Sequence, residues 1–171
     1  MNIQEIILQN PLYLGILTVA ILLVYGYQHS LSFREYYTLN TVKGIVFTIL
    51  NPYLSAKGRP LLSVKGSIQD SDEYVVTEKK PLRRVYAMLR ANGFTPHLIA
   101  TTKVREGERA DAQLVYVHDD GKQTEAYLFA SDGKVDIYAH VETAVFDPDG
   151  HLTDNQQAGD TRGKVLEAIA E

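Results

Sequence analysis

Apolar positions follow three patterns along the chain. From Ile6 to Tyr27 they are nearly continuous, with Leu12, Leu14, Ile16, Leu17, Val19, Ile21, Leu22, Leu23 and Val24 covering every side of a helix rather than one stripe. No formal charge falls between Glu5 and Arg34, a stretch of 28 residues. The apolar part, 22 residues, would reach about 33 Å at ~1.5 Å per residue, close to the thickness of a bilayer core. This pattern predicts a single transmembrane helix within residues 1–30. Tyr13 near one end and Tyr25 and Tyr27 near the other suit the headgroup belts. Glu5 is the one charged side chain before the run, so the basic leader of a cleaved signal peptide is missing and an uncleaved anchor is expected.

The second pattern is a helical stripe. Val42, Ile45, Val46, Ile49, Leu50 and Tyr53 recur at three- and four-residue spacing, which predicts an amphipathic helix over 42–54 that ends at Pro52 and "SAKGRP". It is expected either to lie on the membrane or to pack on the domain, within a juxtamembrane segment and linker spanning 31–60.

Alternation with short turns marks the third pattern, a soluble domain over 61–171. "EYVVTE" (73–78) predicts a strand, and "PLRRVYAMLRANG" a helix with Pro81 in its first turn and Asn92-Gly93 as its stop. Four strands follow, "HLIATTKV", "AQLVYVH", "QTEAYLFA" and "VDIYAHVE", and Asp160 caps a short closing helix, "TRGKVLEAIA". The fold class is therefore α+β, with a helix packed on a meandering antiparallel sheet. Over residues 73–143 this element order resembles the cystatin-like and NTF2-like arrangement, a likeness of order alone that implies a helix across a curved sheet.

Asp120-Gly121 and Asp132-Gly133 are the residue pairs of two-residue hairpin turns. Taken so, they set Val117 opposite Thr124, Val115 opposite Ala126, Leu128 opposite Ile137 and Ala126 opposite Ala139 as the core rows. The other face then presents Leu114, Tyr116, Tyr127, Phe129 and Tyr138, too apolar to stay wet, and these are candidate partner contacts. A polar cluster of His118, Glu125, His140 and Glu142 shares that face.

Charge refines the picture. The net charge of −4 hides an asymmetry: residues 57–109 carry eleven basic against six acidic side chains, and 110–171 carry thirteen acidic against four basic. No Lys or Arg precedes the apolar run, while Arg34 and Lys43 follow it, so the N-terminus is expected outside and the domain on the cytoplasmic side or the inner face of a viral membrane. Lys80, Arg83, Arg84 and Arg90, around the Pro81 helix, are candidate lipid-headgroup contacts. A pI near 5.7 and the absence of Trp make nucleic acid an unfavoured partner.

Glu125 beside His140 is the most suggestive catalytic pairing, since a carboxylate raises and orients an imidazole for general-base work. No motif places a nucleophile, a glycine-rich phosphate loop or a dinucleotide fingerprint, and no small-molecule substrate is indicated. No cofactor and no metal are expected: "DPDGH" lacks the later carboxylates of a calcium loop, and the chain has no cysteine. The sequence thus points to a membrane-anchored interaction or structural protein without catalytic residues, an assembly, scaffold or accessory subunit that meets a protein partner or a second copy. The alternative is a membrane-tethered hydrolase or ligand-binding domain using the Glu125/His140 face.

Overall fold

The computed structural model describes residues 11–55, 65–67, 73–98, 102–144 and 161–170. Two helices, α1 (Pro11–Ser30) and α2 (Phe33–Ser55), lead into β1 (Lys65–Ser67), β2 (Tyr74–Glu78), α3 (Leu82–Ala91) and β3 (Thr95–Pro96). Then come β4 (Thr102–Arg105), β5 (Glu108–Arg109), β6 (Ala112–Val117), β7 (Lys122–Ser131), β8 (Lys134–Thr143) and α4 (Thr161–Ile169). The α+β class with a helix on an antiparallel sheet is what the structure shows.

Five strands form the main sheet in the order β2-β8-β7-β6-β3, and a smaller sheet joins β1, β4 and β5. Of the four strands read as one meander, "AQLVYVH", "QTEAYLFA" and "VDIYAHVE" pair in sequence as β6, β7 and β8. The fourth departs. Only Thr102–Arg105 of "HLIATTKV" is a described strand, and it leaves the main sheet to pair with β1 and β5. The hairpin it forms turns at Glu106 and Gly107, both at positive φ.

Register follows from the two Asp-Gly turns, which differ. At Asp132-Gly133 both residues have positive φ (50° and 75°), as a type I′ turn requires, and Leu128 faces Ile137 as expected. At Asp120-Gly121 the glycine alone is positive (81°). There the ladder closes between His118 and Lys122, which leaves a three-residue loop, a turn ending in a left-handed glycine. One extra loop residue shifts the β6–β7 pairing by one, so Leu114 faces Ala126 and Val115 faces Glu125. The expected pairs Val117 with Thr124 and Val115 with Ala126 are corrected accordingly, and the even positions of β6 turn to the helix side.

On that side lies the main core. Leu114, Ala126, Leu128, Ile137 and Ala139 of the sheet meet Val85, Tyr86 and Leu89 of α3 and Val165, Ala168 and Ile169 of α4. The helix α3 buries one stripe, with Pro81 as its N-cap and Gly93 at φ 87° just past its end. Leu31, Phe33 and Tyr36 complete the core, so it draws on the stretch read as a juxtamembrane linker.

That stretch is one long helix. α2 begins nine residues before the expected 42–54 helix because Ser32 and Glu35 form a capping box: Ser32 N–H donates to Glu35 Oε2 (2.9 Å), and Glu35 N–H to Ser32 Oγ (3.4 Å). It passes Pro52 and is described as far as Ser55. α2 runs beside the start of β6, beyond the reach of β3, where Asn40 Nδ2 donates to Asp111 O (3.1 Å) and Arg109 Nη1 to Thr41 O (3.4 Å).

Among the described residues, no helix is long and apolar enough to cross a membrane, so the transmembrane helix expected within 1–30 is not supported. The C-terminal end of α1 belongs to the domain: buried Gln28 accepts at Oε1 from Leu98 N–H (3.0 Å), and Arg90 donates to His29 O (2.9 Å). Only Pro11–Tyr27 is left as apolar helix, about 25 Å at ~1.5 Å per residue. Residues 1–10, including Ile6 to Leu8 of the apolar run, lie outside the described residues, as does the "DPDG" turn.

Candidate functional site

β7 is buried from Gln123 to Phe129 without alternation, so both faces of the sheet are covered there. The cover on the second face is the chain's own β4–β5 hairpin. Lys103 Nζ sits 5.2 Å from the Tyr127 ring centre, and the Arg105 guanidinium lies 4.9 Å from that of Phe129 and 5.4 Å from that of Tyr138. Arg105 is fixed in place by Asp136 Oδ2 (2.7 Å) and the Tyr138 hydroxyl (3.1 Å).

Under this cover, the alternation of β7 and β8 brings Glu125, Tyr127, His140 and Glu142 onto one face, with Glu125 directly opposite His140. Glu73, ahead of β2, and His97, after β3, join them from the two edges of the sheet. His97 Nδ1 stands 2.7 Å from Glu125 Oε1, in ion-pair contact but without hydrogen-bond alignment. His140 Nδ1 lies 3.3 Å from Glu73 Oε1, and its Nε2 lies 3.8 Å from Glu125 Oε2 and 3.6 Å from Glu142 Oε2. Gln123 Nε2 donates to Glu142 Oε1 (2.7 Å) and Glu125 Oε1 (3.3 Å), and the Tyr127 hydroxyl donates to Glu125 Oε2. Lys43 reaches the cluster's edge through Gln113 Oε1 (3.5 Å).

Burial and charge pull against each other here. Burial alone would disfavour the Glu125 carboxylate, yet His97, His140 and Tyr127 outweigh it and hold the carboxyl well below the usual range. Burial likewise opposes the charged form of His140, but Glu142, Glu73 and Glu125 push its pKa up to about 9. Lys43 goes the other way, down to about 8, because burial dominates. His140 is thus an imidazolium at neutral pH, enclosed by carboxylates.

The candidate residues now have definite places. Leu114 is in the main core and Tyr116 packs against it, while Tyr127 and Phe129 are buried under the hairpin with Tyr138 half-buried beside them. A surface made of these five is therefore not presented to a partner in this chain. Glu125, His140 and Glu142 come together as expected. His118 does not join them: the one-residue shift turns it to the helix side, where its Nε2 meets Thr124 Oγ1 (2.7 Å). Of the basic residues, Arg83 and Arg84 are exposed. Lys80 pairs with Glu78 (3.1 Å), and Arg90 is engaged with His29. Sequence reasoning missed Glu73, His97 and Lys103. No local pattern marks His97 or Glu73, because the sheet edges that carry them pair with strands far away in sequence.

Fold and site together define an α+β domain with a covered polar cluster on the second face of its sheet. No family model, curated protein or solved structure matches the chain.

Proposed function

We propose that the chain is an interaction or structural protein without catalytic residues, an assembly, scaffold or accessory subunit of a membrane-associated complex. It would be held at the membrane by its N-terminal helices, with the domain on the cytoplasmic side or the inner face of a viral membrane. One observation carries this reading: among the described residues, α1 leaves the domain with large apolar side chains exposed, Leu12 at 67% and Leu23 at 69%, alongside Val19, Leu22, Val24 and Tyr27. Such a surface needs cover. α2 continues it with exposed Val42, Ile45 and Val46. Upstream, Ile6, Ile7 and Leu8 would lengthen the apolar run toward a full span.

The hydrolase or ligand-binding alternative has the Glu125/His140 pair in its favour. Burial of both weighs against it, since a general base must touch its substrate.

The test uses the full chain in native membranes. Wild type is expected to resist alkaline extraction, and Leu22→Glu with Leu23→Glu to release the protein without changing the melting of the domain. Wild-type protein recovered in the soluble fraction would overturn the proposal. Protease protection of a C-terminal tag in sealed vesicles reads the orientation.

A further inference from the structure

The buried cluster gathers one imidazole and two carboxylates in loose ion pairs. The distances from His140 Nε2 to Glu125 and Glu142, 3.8 and 3.6 Å, exceed the ~2.7–3.2 Å of a hydrogen bond at nitrogen. One donor atom from each of these three residues falls within 4.8 Å of the others. Ligands held ~2.0–2.2 Å from a common tetrahedral ion lie roughly 3.4 Å apart, the edge of that tetrahedron. The two spacings from His140 to the carboxylates lie close to that edge.

The support around them has the same character. Glu73 sits on His140 Nδ1, while Nε2 faces the other two carboxylates and the Tyr127 hydroxyl (3.2 Å), and a carboxylate behind the ring is the arrangement that orients an imidazole toward a metal. Gln123 and Tyr127 fix the carboxylates of Glu142 and Glu125 by hydrogen bonds. A separate observation comes from β3's end: His97, 4% exposed, has no hydrogen-bond partner for Nδ1 among the described residues and directs that atom at Glu125.

We propose that Glu125, His140 and Glu142 form a binding site for a divalent first-row transition cation, with His97 as a further donor and Glu73 as the positioning residue behind His140. A mixed imidazole and carboxylate set suits Zn²⁺ and its neighbours better than Mg²⁺ or Ca²⁺, which favour all-oxygen sites, and with no cysteine in the chain there is no thiolate to select soft ions. Binding is a proton-for-metal exchange. The His140 imidazolium gives its Nε2 proton to solvent, the ion takes that lone pair, and Nδ1–H stays on Glu73. Lys43 and Lys103 approach the cluster from α2 and β4, His97 from β3's end, and Tyr127 from β7, so the ion competes with these cations and with a proton.

The experiment is calorimetric titration of the chelator-stripped full chain with Zn²⁺, repeated in buffers of different ionisation enthalpy, with Mg²⁺ as the contrast. The expected result is one ion per chain, release of a proton, a raised melting temperature and no saturable response to Mg²⁺. Glu142→Gln, nearly isosteric, is expected to weaken Zn²⁺ binding at least tenfold while its melting in chelator stays cooperative, and His118→Ala to leave binding unchanged. Absence of saturable binding to wild type overturns the proposal without recourse to any variant. So does binding that survives Glu142→Gln or vanishes with His118→Ala.

Discussion

The hydroxyl of Tyr36 on α2 occupies both backbone groups of Gln113 on β6: it donates to Gln113 O (2.9 Å) and accepts from Gln113 N–H (2.8 Å), 77 residues away. β3 pairs with β6 only through Thr95 and Pro96, followed by a last bond from His97 N–H to Gln113 O. The phenol thus continues the ladder where the strand stops. Both residues are buried, so water cannot substitute.

Tyr36→Phe is therefore expected to destabilise the domain by ~1–3 kcal/mol, the cost of an unsatisfied buried donor. For a chain of this size that lowers the melting temperature by roughly 2–4 °C per kcal/mol. Wild-type melting of the variant would show that the hydroxyl is not what satisfies Gln113.

Register is tested on β6. Leu114→Ala is expected to cost ~2–5 kcal/mol because its side chain lies in the main core. Val117, which is partly exposed, should tolerate alanine within ~0.5 kcal/mol. Denaturant unfolding of the two variants reads the difference, and equal effects would argue against the pairing of Leu114 with Ala126.

His140 makes stability depend on pH. Its pKa is raised from the ordinary 6.5 to about 9 on folding, so its contribution is full below 6.5 and is lost as pH rises toward 9. Lys43, lowered from 10.5 to about 8, opposes this above 8, where the unfolded chain binds more protons. The metal-free protein is thus expected to lose melting temperature most clearly between pH 6.5 and 8, on the way to a total loss on the order of 3 kcal/mol. Thermal melts across that range check it, and His140→Gln should flatten the slope.

Arg105→Ala removes a guanidinium stacked on two rings and paired with Asp136. The pair is partly exposed, so global stability should fall by only ~1 kcal/mol. Amide exchange of residues 102–109 and of Phe129 is expected to quicken more than that of the α3 side of the sheet. Unchanged exchange there would mean that the hairpin holds its place without Arg105.

Much of this architecture was legible because local signals were strong. Asp132-Gly133 gave the β7–β8 register correctly, since both residues adopt the positive φ that a type I′ turn needs. The same dipeptide at 120–121 misled, because a three-residue loop also ends in a left-handed glycine and composition does not tell the two apart. The early start of α2 was written in Ser32 and Glu35, a capping-box signal that the apolar stripe overshadowed. Glu125, His140 and Glu142 could be found from strand alternation. Glu73, His97 and Lys103 could not, because the pairing of β2 with β8, the edge position of β3 and the fold-back of the β4 hairpin are long-range choices.

The three-residue loop at 119–121 also bears on which sequence changes the domain can survive. Substitutions at Asp119 and Asp120, both exposed, leave the parity of the strands intact. Gain or loss of one residue there would invert inside and outside along β6, sending Leu114 toward the carboxylates and Gln113 into the apolar core. A change of two would preserve parity. Drift in this turn is thus constrained in length far more than in identity, the reverse of what an exposed polar loop ordinarily permits.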